Sequence, residues 1–184
     1  MAISTFLLTL PLLLINGWHA YLLIAQKSGG RPESLSDHAS ENLKYLVIHK
    51  AVHTASSALL IVYAFTFLRA ELGLFLPVIL LLAGAVFDIV EVMTLKVSVS
   101  HGPKALKETH TLTAWIMGFS YMFFAVSFSM AASFNYLVVN SVWFVFIVLL
   151  LNSVRTRFRV FWLSQMSYFL GLSVFIFITH LRIS

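Results

Sequence analysis

The chain has 184 residues, of which 60% are hydrophobic and 10% charged, with a net charge of +5 and no cysteine. Soluble domains carry about 25% charged residues, so this chain has too few charges to cover a water-facing surface. A disordered chain is also excluded, because disorder needs low hydrophobicity and high charge. Without cysteine there is no disulfide, iron–sulfur cluster or thiol catalysis, and an integral membrane protein remains.

Six apolar segments are long enough to cross a bilayer as helices, which takes roughly 20 residues each. In chain order they cover residues 3–25, 46–68, 72–97, 110–132, 136–151 and 160–181. Their side chains do not alternate every second residue, which favours helices over barrel strands. The first segment lacks a positively charged start and is too long for a signal peptide, so we interpret it as a retained helix. We therefore predict an all-α bundle of six transmembrane helices, forming a single transmembrane domain over residues 1–184.

Basic residues predict the orientation of this bundle. Nine of the twelve lie in the connections after the first, third and fifth spans, and only two lie on the other side. Because basic connections stay in the cytoplasm, we predict that both termini are extracytoplasmic, in a bacterial inner membrane or a plasma membrane. Topology explains the positive charge, and no basic patch with interleaved aromatic residues indicates nucleic-acid binding.

The longest predicted connection, residues 26–44, contains Gly and Pro residues that end the first helix. Within it, Ser36 or Asp37 is predicted to cap a short interfacial helix that leads into the second span. No soluble domain is predicted, so the protein's work must take place inside the bilayer or at its edge.

Ionisable residues of four consecutive spans fall at one depth, in the predicted cytoplasmic half of the bundle. They are His19 in the first span, His49, Lys50 and His53 in the second, Asp88 and Glu91 in the third, and His110 in the fourth. His49 and His53 share a helix face at spacing i,i+4. A charged residue at the centre of a helix costs about 2.5–3.5 kcal/mol in the bilayer. We therefore predict that these side chains face the interior of the bundle and form a shared polar chamber.

Imidazole together with carboxylate is the ligand set of zinc, non-haem iron or manganese, and two histidines at i,i+4 can reach one ion from a single helix. The predicted metal ligands are His49, His53, Asp88, Glu91 and His110. His19, Lys50 and Glu91 are predicted to act in catalysis. His19 would be a further ligand or a base, and Lys50 would pair with a carboxylate or hold an anionic head group.

These patterns predict a metal-dependent membrane hydrolase or oxidoreductase that uses zinc or iron and takes a lipid-soluble substrate from the surrounding lipids. Two alternatives stay open. Haem b could be held by His110 together with His53 or His19, which would leave Asp88 and Glu91 unexplained. A proton-coupled or metal-ion transporter would use histidine and carboxylate as a relay, although the outer half of the bundle offers little polar lining.

Overall fold

The computed structural model describes residues 2–25, 34–40, 42–95, 104–133, 135 and 161–184. All regular structure in these ranges is helical: α1 (Ala2–Ala25), α2 (Leu35–Ser40), α3 (Leu43–Tyr63) with a π-helical continuation (Ala64–Arg69), α4 (Leu76–Thr94), α5 (Lys104–Ala131) and α6 (Phe161–Ile183). Five of these helices are long and apolar enough to cross a membrane, which indicates an integral membrane protein. They match five of the six predicted spans, and the span predicted at 136–151 lies outside the described residues.

The five long helices close into a ring. α1 packs against α3, α3 against α4, α4 against α5, α5 against α6, and α6 again against α1. Aromatic side chains such as Tyr63, Phe124 and Phe128 fill the interior and are fully buried. Large apolar side chains on the outside, such as Ile3 and Phe65, are exposed. An apolar outer surface is the face that a bilayer would cover.

Hydrogen bonds between helix ends give the relative directions of α1, α5 and α6. His180, near the end of α6, lies 3.1 Å through Nε2 from the Thr5 hydroxyl near the start of α1. Arg182 donates to the Ala132 carbonyl, just after α5, at 3.1 Å. The start of α1 and the ends of α5 and α6 therefore lie together, at what we call the far end. α5 and α6 both begin at the opposite end, which we call the site end.

A glycine lies where α4 packs against α5. A Cβ atom placed on Gly84 would lie 2.7 Å from both Cδ1 and Cε1 of the Tyr121 ring. This distance is too short for any side chain, so glycine lets the aromatic ring approach the α4 backbone closely. The contact fixes α4, which carries both acidic residues of the predicted site.

The short helix α2 leads into α3, as the sequence predicted, and most of its side chains are buried against the bundle. Its buried residues are Leu35, Ser36, His38, Ala39 and Ser40. Its cap is Ser34 and not Ser36 or Asp37, since the Ser34 hydroxyl accepts from the Asp37 N–H at 3.0 Å. The Leu35 N–H donates to Oε1 of Gln165 in α6 at 2.9 Å. α2 thus closes the site end of the ring.

Candidate functional site

Three histidines from α1 and α3 meet in the interior near the site end. His19, His49 and His53 are each at most 3% exposed. One ring nitrogen from each of the three residues can be chosen so that all three atoms lie within 4.8 Å of one another. Nε2 of His19 and Nε2 of His53 are 3.2 Å apart. The i,i+4 spacing of His49 and His53 puts both on the face of α3 that packs against α1. This group, the histidine cluster, could bind a metal ion.

Asp88 of α4 sets the orientation of His53. Its Oδ1 lies 2.8 Å from Nδ1 of His53, and the Ser57 hydroxyl donates to its Oδ2 at 2.6 Å. An ionised carboxylate only accepts hydrogen bonds, so Nδ1 of His53 carries the proton and Nε2 keeps its lone pair. That lone pair faces His19. A carboxylate behind a histidine in this way fixes the tautomer in protein metal sites.

Glu91, one turn further along α4, belongs to a separate pair. Its Oε1 lies 3.2 Å from Nε2 of His110 in α5 and accepts a hydrogen bond from the Ser36 hydroxyl of α2 at 3.1 Å. All three side chains meet where α2 closes the ring. The predicted residues therefore divide into two neighbouring carboxylate–histidine pairs, Asp88 with His53 and Glu91 with His110.

The structure does not bring the five predicted metal ligands together in one group. Within the part of the chain that the structure describes, the group able to hold an ion contains His19, His49 and His53, and it includes neither carboxylate nor His110. Asp88 lies directly behind this group, through His53. Glu91 and His110 bond each other.

Lys50 lies on α3 beside His49 and is half-buried. It forms no ion pair with Asp88 or Glu91, both of which the structure describes. The structure thus does not pair Lys50 with either of these two carboxylates, and the alternative role of holding an anionic head group stays a prediction. Serine and histidine side chains satisfy the two carboxylates instead.

Trp18 is a member of the site that the sequence did not reveal. Its indole Nε1 donates to Nδ1 of His49 at 2.9 Å. The indole ring stacks on Tyr21 at 5.4 Å between centroids and meets Tyr45 edge-on at 6.3 Å. Tryptophan is common in membrane helices as a packing or interface residue, so its identity alone gave no signal.

Ser36 and Ser57 were also missed, for different reasons. Ser57 continues the face of His49 and His53 by one more i,i+4 step, so that spacing was an available signal. Ser36 lies in a six-residue helix whose sequence has no readable periodicity. Its contact with Glu91 depends entirely on how α2 folds back into the ring.

Comparisons with models of known protein families, with curated proteins and with solved structures give no match. The chain is therefore characterised by its fold and its site. It is an all-helical protein with five described helices of membrane-spanning length, and it carries a buried histidine cluster that could bind a metal ion.

Proposed function

We propose that this chain is a metal-dependent membrane enzyme that holds zinc or iron in the histidine cluster and acts on a lipid-soluble substrate. One observation carries the proposal. Nε2 of His19 faces Nε2 of His53 at 3.2 Å, while Asp88 holds the other nitrogen of His53 at 2.8 Å.

The separation of these two nitrogens suits a shared ion. Two nitrogen ligands at about 2.0–2.1 Å from a tetrahedral zinc ion lie about 3.3 Å from each other. An ion bound by both nitrogens would displace the proton shared between His19 and His53 and would lie to one side of the line that joins them. Imidazole ligands without thiolate suit zinc and iron. The negative charge of Asp88 offsets part of the ion's charge.

The surroundings of the cluster support an apolar substrate. The Phe169 ring lies 4.9 Å from the His19 ring, and Leu22, Ile48 and Val52 pack in the hydrophobic cluster around Trp18. A molecule that brings a reactive group to the ion must therefore carry an apolar body, as lipid-soluble molecules do. When bound, the metal would activate water or oxygen for hydrolysis or oxidation. Membrane lipids would surround the protein and supply the substrate.

The six-span topology and its orientation belong to the same proposal. Both termini would be extracytoplasmic, and the site end would face the cytoplasm of a bacterial inner membrane or a plasma membrane. The common direction of α5 and α6 supports a further crossing between them. The excess of basic residues in alternate connections supports the cytoplasmic side.

The geometry favours a metal over the two alternatives. Haem b needs two imidazoles on opposite faces of a porphyrin, whereas His19 and His53 lie in hydrogen-bond contact and His110 turns its Nε2 to Glu91. For transport, the ionisable His180 of the far end is engaged through both ring nitrogens, with Thr5 and Tyr63. No described contact favours a relay from it to the cluster.

Metal analysis of the purified protein tests the proposal. We expect one zinc or iron ion per chain after loading, none in His53→Gln, and one in the matched control His180→Gln, whose histidine lies at the far end. Vesicles of extracted lipid are incubated with metal-loaded wild-type protein or with His53→Gln, and their lipids are compared by mass spectrometry. We expect one lipid class to be consumed by the wild-type protein and not by the variant. Wild-type protein that binds neither metal would refute the metal site, and identical lipid profiles would refute the enzyme.

A further inference from the structure

His49 differs from the other two members of the cluster in how its ring nitrogens are engaged. Its Nδ1 accepts the indole N–H of Trp18 at 2.9 Å. Its Nε2 is fully buried and has no hydrogen-bond partner among the described residues. Buried polar atoms without partners are rare, and each one calls for a physical explanation.

The Trp18 contact decides where His49 carries its proton. An indole N–H donates and never accepts, so Nδ1 of His49 must offer a lone pair. Neutral His49 therefore carries its proton on Nε2, which makes the unpartnered atom a donor. A nitrogen that carries a proton cannot bind a metal ion. To become a ligand through Nε2, His49 would have to break the Trp18 bond or become anionic.

His19 is not restricted in this way. Its Nδ1 is buried and has no hydrogen-bond partner among the described residues, so the proton can move to Nδ1 and free the Nε2 lone pair for an ion. His53 already has its lone pair on Nε2, because Asp88 holds its Nδ1 proton. Two members of the cluster can therefore bind a metal directly, and the third is held as a donor.

The position of Trp18 makes a rearrangement costly. The indole is 7% exposed, stacks on Tyr21 and meets Tyr45 edge-on. It packs with Leu22 in a buried cluster. Freeing His49 would leave the indole N–H buried and unpaired in these surroundings, which is unfavourable.

We propose that His49 is a hydrogen-bond donor to the oxygen of a ligand on the metal, and not itself a metal ligand. The inference rests on the proposed metal site in His19 and His53. The Nε2–H of His49 would hold a metal-bound water or the carbonyl or carboxylate oxygen of a lipid-soluble molecule. The site thus selects a substrate that presents an oxygen acceptor at the end of an apolar chain, and His49 positions that oxygen.

Nitrogen-15 NMR of the wild-type protein in nanodiscs tests this directly, with single histidine variants to assign the signals. On adding zinc, we expect the Nε2 signals of His19 and His53 to change to those of metal-bound nitrogen. His49 should keep its Nε2–H. Loss of that proton with zinc bound would overturn the inference alone, whereas zinc that leaves all three histidines unchanged would refute the proposed metal site.

Adding decanoate to the zinc-loaded protein tests the oxygen acceptor. We expect the His49 Nε2–H signal to shift with decanoate and to stay in place with decyltrimethylammonium, which has the same apolar chain and no acceptor. A shift that follows pH or added zinc without decanoate would identify the metal-bound water as the acceptor. An Nε2–H signal that responds to neither acceptor would overturn the inference.

Zinc affinity of two glutamine variants gives an independent test. Glutamine places an amide donor near the position of Nε2 and is a poor zinc ligand. His49→Gln should weaken zinc binding by less than about threefold, whereas His53→Gln should weaken it by at least the roughly 10–100-fold that losing a group behind a metal ligand costs. An equal loss in both variants would show that His49 is a ligand.

Discussion

Asp88 and His53 lie 2.8 Å apart through Oδ1 and Nδ1, and both side chains are buried in the ring of helices. This one contact decides which nitrogen of His53 faces the histidine cluster. Because Ser57 holds the second oxygen of Asp88 at 2.6 Å, the carboxylate cannot easily turn away. The orientation of His53, the proposed metal ligand, is therefore fixed by a residue of α4 and does not require a bound ion.

Replacing Asp88 with Asn should weaken zinc binding by about 10–100-fold, the usual cost of losing a carboxylate behind a metal-bound histidine. Asparagine removes the negative charge and can present its NH₂ group to Nδ1, which favours the wrong tautomer of His53. Competition with a chelating dye measures the affinity. Ser57→Ala is the matched control, since it removes a hydrogen bond to Asp88 and keeps the charge. If this control lost as much affinity as Asp88→Asn, the carboxylate charge would not be the cause.

The pair formed by Glu91 and His110 should matter for stability more than for metal binding. We expect Glu91→Gln to destabilise the protein by about 1–3 kcal/mol, because it weakens a buried hydrogen bond to His110 and the contact with Ser36. Zinc affinity should change by less than about threefold, since the pair lies outside the cluster. Thermal unfolding in detergent and the dye competition measure the two effects.

A double-mutant cycle on this pair provides the control. Glu91→Gln, His110→Gln and the double variant should have unfolding effects that are not additive, because the two side chains contact each other. Strict additivity would mean that the contact contributes nothing to folding. A zinc affinity as low as that of Asp88→Asn would instead place Glu91 in the metal site.

The sequence predicted the helices and the inward orientation of the polar side chains, because both follow from local patterns. Long apolar runs define the spans, and the cost of placing charge in lipid predicts that Asp88 and Glu91 face inward. The all-helical fold and five described spans agree with this. Local patterns did not predict which side chains Asp88 and Glu91 contact. Residues at i,i+3 are offset by about 60° around a helix, which lets Asp88 meet α3 while Glu91 meets α5 and α2.

The remaining features depend on contacts between distant parts of the chain. His49 and Trp18 are 31 residues apart, and Ser36 and Glu91 are 55 apart. Trp18 and Ser36 are residue types that do not mark a site by themselves. In lipid, Lys50 would be the expected partner of a carboxylate. In the structure, Asp88 instead contacts His53 and Ser57, and Glu91 contacts His110 and Ser36. Only the fold could reveal these pairings.

Labelling of introduced cysteines should report the proposed topology, and the chain has no native cysteine to interfere. Lys44, at the start of α3, and Glu71, just after the π-helical segment, are both exposed and lie at opposite ends of the bundle. In intact cells a membrane-impermeant maleimide should label Glu71→Cys and leave Lys44→Cys unlabelled. After lysis both should react. The reverse pattern would invert the orientation, and equal labelling of both in intact cells would refute it.

Replacing Gly84 with Ala should destabilise the protein by about 1–3 kcal/mol, the usual cost of overpacking. The new Cβ would lie 2.7 Å from two atoms of the Tyr121 ring, and a buried aromatic ring cannot move away without displacing α5. Gly17→Ala is the matched control in α1, since a Cβ there has nothing within 4 Å. It should be neutral or stabilise by up to about 1 kcal/mol through helix propensity. Thermal unfolding compares the two.

The loss from Gly84→Ala should shrink in a Tyr121→Ala background, because the ring is the clashing group. An equal loss in both backgrounds would mean that Gly84 acts through something other than Tyr121.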